Sequence, residues 1–361
     1  MADLSDITLV IPSYKRQRYA LRSLRYWSGK GPQVHLIDGS EQRLCEVDLT
    51  GLAGNVHYHH VPASFYERLK KGRDLVHTKY AALLSDDEFF LPSALQACLD
   101  ELEADPTLVA CTGRALAFKL QDGEVVGYPF YMEMAGYSIM SDTASERIIE
   151  HMRDYTCSTI YAVVRADVWK RALTLITEKH YPLYAVGELQ FEVMTCYAGK
   201  SKVIPRLMWL RSLEQQPIRG NEPSLIYENS FNAWWENPEK ENERVAFLCH
   251  LAEHLQYASD GGTIDFCDLE FAFDGYVKCV DARNAKTLKR QYQNIRGYII
   301  RGIATCLPAK LKDALRPRLL KPVRIPPLDV AATALAQSGC VVNTDELRET
   351  VSVVRRFHGG E

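Results

Sequence analysis

The chain has 361 residues, 47% of them hydrophobic and 25% charged, with a formal net charge of −3. That length allows one large domain or two smaller ones, the composition is ordinary for a globular protein, and the charge argues against general nucleic-acid binding. Ten cysteines lie scattered with no C-x-x-C spacing, which disfavours a zinc site or a disulfide framework. Residues 1–6 are polar, and no apolar run approaches the roughly 20 residues that span a bilayer. A reducing, cytoplasmic location is the expectation.

Strands and helices alternate through the first half. Ile7–Ile11 reads as a β-branched strand ended by Pro12, followed by the loop Ser13-Tyr14-Lys15-Arg16 and a helix over 17–28 with Tyr19, Leu21, Leu24 and Trp27 at helical spacing. Gln33–Ile37 is a second strand stopped by the turn Asp38-Gly39-Ser40. Asn55–Val61 is a third, closed by Pro62, and residues 64–78 suit a helix. Strand 80–84 follows, then a helix over 92–104 that sets Leu95, Cys98, Leu99 and Leu102 on one face. Thr107–Phe118 starts as a strand and is expected to break at Thr112-Gly113-Arg114. The alternation predicts an α/β fold with a mainly parallel sheet covered by helices on both faces.

Ser85-Asp86-Asp87-Glu88 closes the apolar run 80–84. In an open α/β sheet, ligands bind at the carboxyl ends of the strands. Adjacent carboxylates there repel and lose hydration, and a hard divalent cation, completed by water and phosphate oxygens, relieves both effects. The same acids also suit a cap for the helix starting near Pro92. Neither G-x-G-x-x-G nor G-x-x-x-x-G-K-[ST] occurs, so a glycine-rich phosphate cradle is excluded.

Three elements together resemble GT-A-fold, family-two-like nucleotide-sugar glycosyltransferases: Ile11-Pro12-Ser13-Tyr14-Lys15-Arg16, Asp38-Gly39-Ser40 and Ser85-Asp86-Asp87-Glu88. Their order and intervals agree with that family over roughly residues 5–215, and within it the chain looks closest to a bacterial subgroup with Asp-Gly-Ser and Asp-Asp-x-Phe motifs. The resemblance implies that Pro12, Ser13, Tyr14 and Arg16 lie under the base and ribose of the donor. It implies that Asp38 accepts from a uracil-type imide, that Asp86 accepts from the ribose, and that Asp87 is the direct ligand of Mn2+ or Mg2+. A strict D-x-D is not present, which leaves open whether Asp86 or Glu88 assists Asp87. Arg68, on the 64–78 helix, matches a basic residue that relatives send to the nucleotide, with Lys70, Lys71 and Arg73 beside it.

Inverting transfer needs a carboxylate base on the acceptor hydroxyl, and relatives supply it about a hundred residues after the metal acids. Glu188, after Gly187 and ahead of Leu189, Val193 and Tyr197, fits that interval; Glu192 is the substitute, and a dipole partner at a helix start is the structural alternative. Asp142 and Asp154 are less favoured. Tyr155–Trp169 reads as the strand preceding the base, with Arg165 as a surface arginine or a phosphate ligand. Val203–Pro205 and Leu207–Arg211 resemble a closing strand and a flexible donor cover, from which Arg211 reaches the diphosphate.

His57 and His59 would share a strand face without a third ligand nearby in sequence. Tyr128, Phe130, Tyr131 and Tyr137 either stack on a sugar or pack their loop. Residues 1–216 are read as the catalytic domain, 217–240 as a connection, with Trp234-Trp235 as an inter-domain anchor, and 241–361 as a helical region. In that region Glu243–Tyr257 carries Val245, Phe247, Leu248, Leu251 and Leu255 as an apolar set, and Phe271, Phe273, Tyr276 and Val277 suggest another helix. Residues 286–324 are basic and amphipathic, with Asp313 as their only acid, which suits either an anionic leaflet or packing on the catalytic domain. The function expected is a metal-dependent, inverting glycosyltransferase acting from a UDP-sugar on a glycan, lipid-linked or protein acceptor in bacterial surface-polysaccharide or protein glycosylation. It would work in the cytoplasm or peripherally on the inner membrane face. The alternatives are a sugar nucleotidyltransferase and a non-catalytic nucleotide- or glycan-binding scaffold.

Overall fold

The computed structural model describes residues 2–179, 181, 183–215, 231–256, 264–305 and 325–359, without the side chains of residues 184 and 286–305. In chain order the described elements are β1 (Ile7–Ser13), α1 (Gln17–Trp27), β2 (Gln33–Asp38), α2 (Glu46–Leu49), β3 (Val56–His60), α3 (Phe65–Leu75), β4 (Tyr80–Leu83), β5 (Phe89–Phe90) and α4 (Pro92–Ala104). They continue as β6 (Leu108–Gln121), β7 (Glu124–Phe130), β8 (Ser138–Ile139), α5 (Ala144–Arg153), β9 (Val163–Arg165), α6 (Ala166–Glu178), α7 (Tyr184–Ala198) and β10 (Lys200–Ser212). The remaining helices are α8 (Phe231–Glu236), α9 (Glu241–Gln256), α10 (Phe266–Thr305), α11 (Leu328–Gln337) and α12 (Thr344–Gly359).

Every side chain of β1 is buried. Its Val10 belongs to one apolar cluster with Ile37, Phe65 and Trp169, while Ile7, Leu9 and Ile11 join a second with Leu24, Trp27 and Leu99. Alternate side chains of a strand point to opposite faces, so a strand buried on both sides reads as the continuous apolar run seen here. The sheet order is β3-β2-β1-β4-β9-β6-β10-β5, with β7 on β6 and β8 on β10. β1 to β4 pair in parallel, as do β6 and β10. β9 runs antiparallel between β4 and β6, and β5 antiparallel on β10.

Several local expectations are corrected. β6 does not break at Gly113; it runs unbroken over Leu108–Gln121, and the irregularity lies in its neighbour β10, whose register shifts between Val203 and Leu207. Pro205, which cannot donate to a ladder, sits in that shift. β10 also contains Leu207–Arg211, so the expected flexible cover is a buried strand with Arg211 near its end. Only Val163–Arg165 of the Tyr155–Trp169 segment is strand; Ala166 onward is α6. Arg165 donates to the carbonyls of Leu108 and Leu102 at 2.8 and 2.6 Å, which assigns it to loop bracing, not phosphate. The acids at 86–88 do not cap α4, because β5 intervenes and the N-cap, Leu91, makes no side-chain bond.

Beyond residue 230 the chain packs on both faces of the sheet. α8 and α9 bring Phe231, Trp235, Phe247 and Leu251 into the cluster of α5, α6 and α7, and Trp235 donates to Asp274 at 2.9 Å. Val245 and Phe271, expected in that core, are exposed. α11 and α12 return to the opposite face, where Leu328, Leu335 and Val354 join the cluster under α1 and α4. Residues 217–230 of the expected connection and 306–324 of the basic stretch lie outside the described residues, as do the side chains of 286–305. No helix among the described residues is long and apolar enough to cross a membrane.

Candidate active site

The carboxyl ends of β1 and β4 meet at a cavity of about 170 Å3, closed by α7 and the end of β10. Pro12, Arg16, Asp86, Asp87, Glu88 and Glu188 line it together with Tyr131, Cys157, Tyr161 and Arg211. Ser13, the last residue of β1, is fully buried and donates to Asp86 Oδ2 at 2.7 Å. The Arg16 guanidinium donates to Asp86 Oδ1 at 2.8 Å and to Asp87 Oδ2 at 3.0 Å. Glu88 accepts from Trp209 Nε1 at 2.7 Å. Burial, and after it the charge on Asp87, push Asp86 up to about 7 and Glu88 up to about 8. Asp87 is raised too, chiefly by burial, with Arg16 opposing.

Glu188 lies in the second turn of α7, after the N-cap Leu183, beyond the first turn where a helix dipole acts. Gly187 is likewise helical and packs against Ile176. The Tyr155 hydroxyl donates to Glu188 Oε1 at 2.5 Å, and burial raises its carboxyl above the usual range. A carboxylate so raised is a stronger proton acceptor than an exposed one. Glu192 is not at the cavity: it is completely buried, with both oxygens engaged by residues 159 and 160, so it has no free position for a substrate proton. Asp142 is exposed beside Lys200, and Asp154 beside Arg153.

Of the remaining expected residues Arg211 lines this cavity, while Tyr14, Asp38 and Arg68 are not among its lining residues. Asp38 is buried and accepts from Tyr58 and Gln17 on Oδ2 at 2.7 and 3.0 Å, and from the Ser40 amide on Oδ1 at 2.9 Å. Next to it Lys15, Gln17, Ser40, Glu41 and Gln42 line an open cleft of about 370 Å3. Arg68 is fully buried, donates to the Ala63 carbonyl at 3.0 Å and lies 5.3 Å from the Tyr14 ring. Lys70 and Lys71 are exposed, and Arg73 bonds Asp74 and Thr174, so Arg68 alone of the four is built into this end of the sheet. A Cβ on Gly39 would fall 2.0 Å from its Nη1, which is why the Asp-Gly-Ser turn requires glycine there. Arg211 bonds the Tyr131 hydroxyl and lies 4.7 Å from the Phe130 ring centre.

Arg22 and Trp209 had no usable signal in the sequence as site residues. Arg22, in the middle of α1, donates to the Asp87 carbonyl and to Glu214, both at 2.8 Å. Trp209 stacks between Tyr161 and Tyr131, with ring centres at 4.6 and 5.6 Å. Tyr131 holds a left-handed backbone, φ 47°, uncommon for a bulky residue. These contacts depend on which strands become neighbours. The histidines show the same dependence. His35 of β2 stacks on His57 and reaches His59 at 3.0 Å, supplying the third imidazole the sequence lacked. Even so, no group of three or more His, Cys, Asp and Glu among the described residues is arranged to hold a metal.

No protein-family model and no curated protein matches the chain. Among solved structures it is similar to S. aureus TarS 1–349 in complex with UDP-GlcNAc, at 12% identity and a TM-score of 0.51, covering 98% of this chain and 92% of that one. Another structure of the same TarS fragment aligns at 10% identity and a TM-score of 0.43, covering 78% and 91%. At such identity the likeness is one of architecture. The chain is a mixed α/β protein with a GT-A-like fold and a helical C-terminal region.

Proposed function

We propose that the chain is a metal-dependent, inverting glycosyltransferase that uses a nucleoside-diphosphate sugar, UDP-linked first, and passes the sugar to a glycan, lipid-linked or protein acceptor. The observation carrying this reading is that one cavity is lined both by the acids at the end of β4 and by a second carboxyl, Glu188, whose burial raises it. The fold shared with a structure that holds UDP-GlcNAc supports the donor class.

In this reading the base and ribose lie in the cleft of Lys15, Gln17 and Ser40 beside Asp38, and the diphosphate enters the smaller cavity. At about 170 Å3 that cavity is below the roughly 300 Å3 of ordinary ligand sites, so it takes only the reacting end of the donor. Asp87 is the carboxylate offered to a divalent cation. The donor set fits a hard ion held by one protein carboxylate and otherwise by water and diphosphate oxygens, and the raised Asp86, Asp87 and Glu88 are groups whose charge a cation would stabilise. When bound, the ion would stabilise charge on the departing diphosphate. Arg16 and Arg211 flank the same position and add fixed positive charge. Glu188 accepts the proton of the attacking hydroxyl, and Tyr155 holds its carboxylate in place.

Calorimetric titration of UDP with and without manganese, on the wild type and Asp87→Ala, tests the donor site. Binding that needs the metal and disappears in the variant is the expected result. Equal binding by the variant removes Asp87 from the site, and no binding of any nucleotide overturns the reading.

A further inference from the structure

α7 carries two glutamates one turn apart, and only Glu188 faces the cavity. Glu192 is turned into the protein with no exposed surface, where a carboxylate is costly unless every lone pair is used. Its Oε1 accepts from the backbone amides of Thr159 and Ile160 at 3.3 and 3.1 Å. Its Oε2 accepts from the Thr159 hydroxyl. His151 Nε2, from α5, lies 3.0 Å from the same oxygen without hydrogen-bond alignment, and its Nδ1 is 2.7 Å from the Tyr137 hydroxyl.

The segment so held is irregular and sits between α5 and β9. It also contributes Cys157 and Tyr161 to the cavity lining. Tyr155 bonds Glu188, Cys157 lines the cavity with Glu188, and Tyr161 lines the cavity while stacking on Trp209. Without regular secondary structure, the geometry of this segment rests on side-chain bonds, and Glu192 supplies three of them.

We propose that Glu192 is a positioning residue for Glu188: by clamping residues 159 and 160 it fixes Tyr155 and Cys157 beside the carboxylate that shares the cavity with the acids of β4. This rests on the role given above to Glu188. Glu192→Gln keeps an acceptor for the two amides and donors for Thr159 and His151, and so retains the clamp. Glu192→Ala removes it, and Thr159→Val removes only the hydroxyl bond.

The test combines amide hydrogen exchange at Thr159 and Ile160 with steady-state turnover of UDP-sugars and UDP titration. In Glu192→Ala, protection at both amides is expected to fall and kcat to drop about tenfold or more, within the roughly 100-fold cost of a 1 Å misplacement. UDP affinity is expected to stay within about twofold, since Glu192 does not line the cavity. Glu192→Gln is expected to keep protection and most of kcat, and Thr159→Val to lie between. Glu188 is surrounded by Tyr131, Tyr155, Cys157, Glu192, Arg211 and Tyr276, and among these Glu192 raises it by like charge. The acid limb of the kcat profile therefore moves to lower pH in Glu192→Gln, a change that a purely structural role would not produce. Unchanged protection in Glu192→Ala overturns the clamp, and lost protection with unchanged kcat overturns the positioning role. If Glu192→Ala does not fold, Thr159→Val and Glu192→Gln carry the same comparison. A wild type that turns over no nucleotide sugar overturns the proposed function instead, and the exchange result alone then decides the clamp.

Discussion

Asp86, Asp87 and Glu88 share one buried wall, with Arg16 bridging the first two. Asp86 is pushed up to about 7 and Glu88 to about 8, first by burial and then by the charge of Asp87. Their unfolded counterparts titrate near 4, so between these limits the native state binds protons that the unfolded chain has released. The stabilisation is complete below about pH 4 and is lost as pH rises through about 7 to 8. Without nucleotide, melting temperatures of the wild type should therefore fall across that window, and an Asp86→Asn, Glu88→Gln double variant should flatten the slope. Arg16→Met leaves two adjacent buried carboxylates uncompensated. By urea denaturation it is expected to cost about 3–5 kcal/mol near pH 8 and clearly less near pH 5, where the acids take up protons. A cost independent of pH would show that Arg16 acts through packing.

At the scale of elements, β6 and β10 illustrate how a motif can mislead. Thr112-Gly113-Arg114 looks like an interruption, yet Gly113 is where β10 leaves no room for a side chain on β6. A Cβ there would lie 2.4 Å from the Arg206 carbonyl and 2.5 Å from Met208 Cβ. The glycine accommodates the bulge opposite, and the bulge ends with Trp209 and Arg211 aimed at the site. Gly113→Ala is expected to destabilise by roughly 1–3 kcal/mol, the usual range for overpacking. Urea midpoints measure it, and a neutral result would mean that β10 can slide at no cost. Elements with a strong local pattern, such as β1, β2, α1 and α4, formed within a few residues of expectation. The irregular segment 155–162 did not, because its β-branched residues serve burial under α5 and α7 and not strand pairing.

Across the whole molecule, the end of α12 meets Arg22, which braces the cavity acids, from the opposite end of the chain. The Phe357 ring lies 4.6 Å from the Arg22 guanidinium, and His358 Nε2 lies 2.5 Å from Glu214, which also binds Arg22. Arg22 in turn holds the Asp87 carbonyl. Phe357→Ala is expected to weaken UDP binding by about 1 kcal/mol, within the range of a cation–π contact, with a smaller effect on the melting temperature. Calorimetry of UDP with manganese measures this, and an unchanged affinity would restrict α12 to covering the sheet.

Local chemistry was enough for the alternating elements, for the turn at Asp38-Gly39-Ser40 and for the acids that end β4, because an apolar run and the turn and acid residues that stop it are properties of short stretches of chain, whereas the need for glycine at position 39 comes from Arg68. The interval between those acids and Glu188 pointed to a second carboxyl only through resemblance to a family. The tertiary structure alone decided that Glu192 turns away from the cavity, that Arg22 and Trp209 support its acids, that His35 joins His57 and His59, and that the final helices return to the first. Each of these is a contact between residues distant in sequence, set by strand order and register, which no local pattern encodes.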